Sequence, residues 1–173
     1  LPRYKKYIQS HLGNQNSRLR NIVDFLIPEI EYHSGPLNSK RVLDFGCGTG
    51  ATSVALAMHS REVISYDIDE PSIFVCRKRI QEHNLTNVEI IQNSNFFAII
   101  PSLGKFDFIL LNAVLEHVPL SHRGLRKKII SSLFDMLNPG VTLFITETPN
   151  RLWPIDFHTT GLFWIPWSTP GSN

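Results

Sequence analysis

The residues best equipped for chemistry lie in one short run, Gly46-Cys47-Gly48-Thr49-Gly50, with Asp44 two residues before it and Asp67 21 residues after Gly46. Glycines at this spacing let a strand turn sharply into a helix and let main chain approach a ligand closely. A carboxylate at the end of the next strand can accept hydrogen bonds from both hydroxyls of a ribose. The run therefore suits a cofactor that carries a nucleoside. Gly46, Gly48 and Ala51 also satisfy a dinucleotide pattern, so the loop alone leaves a nicotinamide cofactor open. Asp44 weighs against it. A carboxylate facing the crevice repels a pyrophosphate and attracts a ligand that carries positive charge.

Such a loop has to sit between a strand and a helix, and the apolar pattern supplies both. It predicts a buried strand over 41–45 and a helix over 49–59 carrying Ala51, Val54, Ala55, Ala57 and Met58. A second strand over 62–66 ends at Asp67, and Pro71 opens a helix that runs to about residue 84. Further strands fall over 88–91, 106–111 and 141–146, with a helix over 123–137 closed by Asn138-Pro139-Gly140. Upstream, Leu19, Ile22, Val23, Phe25, Leu26 and Ile30 mark an amphipathic helix with Ser17 as its N-cap, ended by Gly35-Pro36. Strands alternating with helices predict an α/β fold, a mainly parallel sheet covered on both faces.

At 173 residues, 42% hydrophobic and 18% charged, the chain suits one globular core. It divides into a helical cap over 1–34, a core over 35–150 and a segment over 151–173. That last stretch is rich in proline and tryptophan. A net charge of +2 gives no electrostatic case for nucleic acid, and no apolar run approaches the ~20 residues that span a bilayer. Cys47 and Cys76 sit in no metal-type cluster, so no metal site is expected and a reducing, cytoplasmic setting is the default.

The stretch Val42-Leu43-Asp44-Phe45-Gly46-Cys47-Gly48-Thr49-Gly50 resembles the first motif of the class I S-adenosylmethionine (SAM)-dependent methyltransferases. Later segments resemble that family in order: Val63-Ile64-Ser65-Tyr66-Asp67-Ile68-Asp69, the run from Phe106 through Asn112 to Glu116-His117-Val118, Leu137-Asn138-Pro139-Gly140-Val141, and Thr148-Pro149-Asn150-Arg151. The resemblance covers about residues 40 to 151. It implies a Rossmann-like doubly wound sheet, SAM as cofactor, and methyl transfer to a small-molecule acceptor, with oxygen or carbon acceptors slightly favoured. It also implies roles. Gly46, Cys47 and Gly48 would pass beside the methionine part, and Asp44 would orient that end directly or through water. Asp67 would hold the ribose, Ile68 would pack on the adenine, and Asn112 would offer its carbonyl to the ammonium. Where the family usually has Gly-Asp after the third strand, Asn93-Ser94-Asn95 stands here. Ser94 or Asn95 would bind the adenine edge more weakly than a carboxylate. The family sheet usually has seven strands and the pattern here supplies five, so the last strands lie outside this sequence or the sheet is abbreviated.

Methyl transfer is an in-line displacement in which alignment does most of the work. A base is needed only when the acceptor must lose a proton, and His158 and Glu147, just past the fifth strand, are the candidates. Each reads more readily as an ordinary loop or surface group. Glu116-His117 could supply polar groups lining the crevice but reads more naturally as a packing pair at a helix start, and the runs Arg77-Lys78-Arg79 and 123–128 read as solvated faces. Two other functions compete: a nicotinamide-dependent oxidoreductase, and a SAM-binding module without catalysis. The acceptor and the oligomeric state are not legible.

Overall fold

A computed structural model of the chain describes residues 15–118 and 123–146. Its core is a five-stranded sheet of β1 (Arg41–Phe45), β2 (Glu62–Asp67), β3 (Val88–Gln92), β4 (Phe106–Asn112) and β5 (Leu137–Thr146). The order is β3-β2-β1-β4-β5 and every neighbouring pair is parallel. The expected doubly wound α/β sheet is therefore present. Chain order reverses between β1 and β4, and such a reversal opens a crevice at the carboxyl ends of the strands.

Helices cover both faces. The first helical run comprises α1 (Gln15–Asn21), a π-helical turn (Ile22–Leu26) and α2 (Ile27–Ser34). Then follow α3 (Ala51–His59), α4 (Glu70–Glu82), α5 (Phe96–Leu103), a 3₁₀ turn (Leu115–His117) and α6 (Arg123–Asp135). Side chains alternate across a strand, and the core splits accordingly. Leu43, Phe45, Ile64, Tyr66, Ile109 and Leu111 pack toward Phe96 and Leu103 of α5 and Ile129 and Leu133 of α6. Val42, Val63, Phe108 and Leu110 pack the other way, on Ile27 and Ile30 of α2 and Ala55 and Leu56 of α3.

Strands β1 and β2 and helix α4 fall close to their expected bounds. Asp69 caps α4, its carboxylate accepting from the Ser72 amide at 3.0 Å. Three readings are corrected. Ser17 is not an N-cap, because the helix is already formed at Gln15. Helix α5 was not expected. Its sequence, Phe96-Phe97-Ala98-Ile99-Ile100-Pro101, is apolar all round and carries an internal proline, which hides helical periodicity. Strand β5 begins at Leu137 and not at 141, because Leu137 pairs with Phe106 before an irregularity, and regular pairing resumes at Thr142 with Phe108.

Candidate functional site

The glycine loop follows directly from β1. The amides of Gly46 and Cys47 both donate to the Tyr66 carbonyl on β2, at 2.8 and 3.0 Å, which turns the chain up and over the sheet end. Gly46, Gly48 and Gly50 all have positive φ, at 76°, 52° and 81°. A side chain would clash at two of them. A Cβ on Gly46 would lie 2.6 Å from Val114 Cγ2, and one on Gly50 2.5 Å from Cys76 Sγ. Gly48 has open space where its side chain would be, so main chain there is accessible to a ligand.

This loop forms one wall of a cleft of about 1120 Å³. Gly46, Cys47, Gly48, Asp67, Ile68, Ser94, Asn95 and Asn112 all line it, so the structure brings these predicted residues together around one space. The carboxylate of Asp67 is tied on both sides, accepting from the Gly48 amide at 2.7 Å and the Asp69 amide at 2.9 Å. A carboxylate has about four lone-pair positions, so two remain for outside donors. Ile68 stands 61% exposed beside it. The Asn93 side chain accepts from the Asn95 amide at 2.8 Å, closing a tight turn that presents Ser94 and Asn95 at the surface. Asn112 is buried, and its amide nitrogen donates to Thr52 Oγ1 at 3.4 Å. Its side-chain oxygen has no hydrogen-bond partner among the described residues. A buried acceptor without a donor is costly, and it is the kind of group an ammonium satisfies. The next residue, Ala113, holds a φ of 56°, a strained state for alanine of the sort that clusters at functional sites.

Asp44 is the exception. It does not line the cleft, and it is 1% exposed. Alternation along β1 aims it toward α3, where Ser53 Oγ donates to it at 2.6 Å. It sits one layer beneath the loop, so the expected orientation into the crevice is corrected. Burial lifts its carboxyl to about 7. Ser53 opposes the lift, the Asp67 charge adds to it, and the Arg18 charge opposes it. An unfolded aspartate titrates near ~4. Between those values the folded chain holds a proton that the unfolded chain has released. The group's contribution to stability is therefore full below pH ~4 and is lost as pH rises to about 7. Asp107, held low by the Arg41 amide, acts in the opposite sense but only in more acid solution. The melting temperature of the free chain should thus fall between about pH 5 and about pH 7 and level off above, and Asp44→Asn should flatten that slope. Equal slopes in the two proteins would remove Asp44 from the account.

Cys47 and Cys76 are both buried and free. A hydrogen bond to Cys76, with burial, holds the Cys47 thiol well above its usual range, which fits the reading of Cys47 as a small loop residue.

Sequence reasoning missed several cleft residues. Arg18 of α1 reaches the rim, although it lies far from the loop in sequence. Phe96, Phe97, Val114, Val118, Leu125 and Ile129 give the cleft an apolar side. His117 lines the cleft, the less favoured of its two readings, and Arg79, read as solvated, is 3% exposed. Glu147, His158 and the segment over 148–151 lie outside the described residues, as does the aromatic tail. Among the described residues no cluster suits a metal, and no helix is long and apolar enough to cross a membrane.

Residues 37–155 match the model of a methyltransferase domain, over more than half of the chain. The chain belongs to the methyltransferase domain family. The ubiquinone biosynthesis O-methyltransferase of Coxiella burnetii is 34% identical over 66% of this chain and 46% of its own length. That of Acinetobacter baylyi is 29% identical over 70% of this chain and 49% of its own. The chain thus spans about half the length of the curated relatives it matches. A precorrin-8w decarboxylase structure from Methanobacterium thermoautotrophicum superposes with a TM-score of 0.58 at 22% identity, covering 72% of this chain and 62% of that one. An rRNA methylase from Streptococcus thermophilus gives 0.53 at 21%, covering 73% and 69%. Both likenesses speak for the fold alone. Membership of a methyltransferase family displaces the nicotinamide reading of the glycine loop.

Proposed function

We propose that this chain binds SAM in the cleft and forms the cofactor-holding part of a methyltransferase that acts on a small-molecule oxygen acceptor. The observation that carries the reading is the joining of the glycine loop to Asp67 through the 2.7 Å Gly48 bond, beside the unpaired Asn112 oxygen. Methyltransferase family membership supports SAM as the cofactor. The relatives' printed names, O-methyltransferases, support oxygen over carbon as the acceptor atom.

The residues present fit the cofactor. Gly46, Cys47 and Gly48 offer close main chain to its methionine part. The Asn112 side-chain oxygen or carbonyl accepts from the ammonium, and Arg18 on the rim pairs with the carboxylate. Asp44, beneath the loop, adds negative charge under the cationic end. Asp67 spends its two remaining lone-pair positions on the ribose hydroxyls. Ile68 packs on one face of the adenine, and Ser94 and Asn95 bond its edge. When bound, SAM supplies an already activated methyl group, so the chain's task is alignment and exclusion of water. The apolar side of the cleft performs the second. His117 on that wall, or His158 and Glu147 beyond the described residues, takes the proton from an acceptor that must lose one. The two buried free thiols support a reducing, cytoplasmic setting.

The test is thermal melting with SAM, S-adenosylhomocysteine and NAD. A ligand at 100 times its dissociation constant adds about 2.7 kcal/mol of stability. A rise with the two SAM-type ligands alone is expected. A rise with NAD alone, or with none, would overturn the reading. Tight SAM binding without turnover by the whole protein would favour the non-catalytic module.

A further inference from the structure

The first helical run contains an irregularity that the site has not yet explained. Between α1 and α2 the Ile27 amide donates to the Ile22 carbonyl, five residues back, where an α-helix would reach back four. The backbone stays helical on either side, with Asn21 at φ −61° and Leu26 at φ −73°, so the run is not broken. Pro28 supplies a cause. It lacks an amide hydrogen, and its ring would strike the carbonyl of Asp24 in a regular α-helix. A π turn absorbs the misfit by carrying one residue more than an α turn does.

The two flanks share the core cluster around α3 but face different neighbours beyond it. Ile22, Ile27 and Ile30 are buried in the sheet core although Ile22 and Ile27 are five apart, a spacing that one α-helical face does not allow. On the other flank Leu19 packs against the clusters around α3 and α4, and Arg18 stands on the cleft rim. Run as continuous α-helix, the same residues would turn α1 by about 100° relative to α2, the rotation of one residue. Arg18 would then leave the cleft. We propose that the π turn at Ile22–Leu26 is a phasing device that sets α1 so that Arg18 meets the carboxylate of the bound cofactor while α2 keeps its seat in the core. The proposal rests on the assignment of Arg18 made above. Arg18 is the binding group, and the turn with Pro28 acts through it as a positioning element.

Affinities for SAM and for decarboxylated SAM, measured by calorimetry, isolate what the carboxylate contributes. The intact chain should favour SAM by about tenfold or more, the scale of one charge-assisted contact, and Arg18→Gln should abolish that preference. If Arg18→Gln leaves it intact, the assignment of Arg18 is wrong, whatever the turn does. Two further variants test the turn itself. Deleting Phe25, 72% exposed, together with Pro28→Ala removes the extra residue and its cause. The run becomes plain α-helix with both flanks in their present phase, so the preference for SAM should persist. Inserting one alanine after Phe25 turns α1 by about 100° and should drop the preference to the Arg18→Gln level, with decarboxylated SAM still bound as before. A deletion variant that fails to fold or binds both ligands equally overturns the proposal, because a helix carrying one residue too many is not harmed by losing it. So does an insertion variant that keeps the preference.

Discussion

Replacing Gly50 by alanine is expected to lower the stability of the chain by about 2–5 kcal/mol, the sum of a left-handed backbone penalty and overpacking. Gly50 holds φ at +81°, a conformation that favours glycine. It is also the residue at which the loop becomes α3, its amide donating to the Cys47 carbonyl at 3.0 Å and its carbonyl accepting from Val54 at 3.0 Å. The turn therefore cannot relax without unwinding the first turn of the helix. The new Cβ would lie 2.5 Å from Cys76 Sγ and 3.0 Å from Cys76 Cα. The sulfur could swing aside at an exposed site. Here Cys76 is fully buried in a cluster with Cys47, Val54, Ile73 and Ile80, and its Cα belongs to the backbone of α4. Either α4 or the glycine loop must move. For a chain of this size the loss corresponds to a fall in melting temperature on the order of 10 °C. Gly48→Ala is the built-in control. It shares the positive φ, at 52°, but meets nothing within 4 Å, so it should show only the backbone share of about 1–2 kcal/mol. If the two variants melt together, the contact with Cys76 carries no weight and α4 is not packed on the loop as described.

That control also shows what the sequence could and could not say. Three spaced glycines after an apolar run announced a tight strand-to-helix turn, because their chemistry is local. Buried parallel strands are continuous apolar runs, so β1 and β2 were legible at nearly their true bounds. The misread site residues involve a relation between distant segments. Asp44 was expected to look into the cleft, but the alternation that sends Leu43 and Phe45 toward α5 and α6 sends Asp44 toward Ser53 on α3. Arg18 carries no motif and acquires its place only because α1 folds over the loop. Arg79 sits in a basic run that reads as solvated, yet α4 turns it inward while Arg77 and Lys78 stay out. Helix α5 hid for a local reason: Phe96 to Ile100 are apolar on every face and Pro101 interrupts the run, so periodicity had nothing to report although Ala98, Pro101 and Ser102 are exposed.

Asp67→Ala should weaken SAM binding by about 1–3 kcal/mol, roughly five- to 150-fold in dissociation constant, the usual loss on removing hydrogen bonds to a charged group. The present contacts of the carboxylate show why the effect should appear in affinity more than in stability. Asp67 is only partly buried, and its two bonds go to loop amides of Gly48 and Asp69 that solvent can reach from the cleft. Losing them unties the loop from the end of β2 without leaving a buried group stranded. In the proposed complex the same carboxylate would bind two ribose hydroxyls on its free lone pairs while still fixing the Gly48 amide. The variant therefore loses both a direct contact and the preorganisation of the loop beside it. S-adenosylhomocysteine shares the ribose and should weaken by the same factor, whereas a change confined to SAM would place Asp67 near the sulfonium instead. Asp67→Asn retains one acceptor oxygen and should fall between the two. Calorimetric titration of the three proteins with both ligands decides the matter. If all affinities stay equal, the ribose lies elsewhere in the cleft, and the carboxylate serves only to hold Gly48 in its turn.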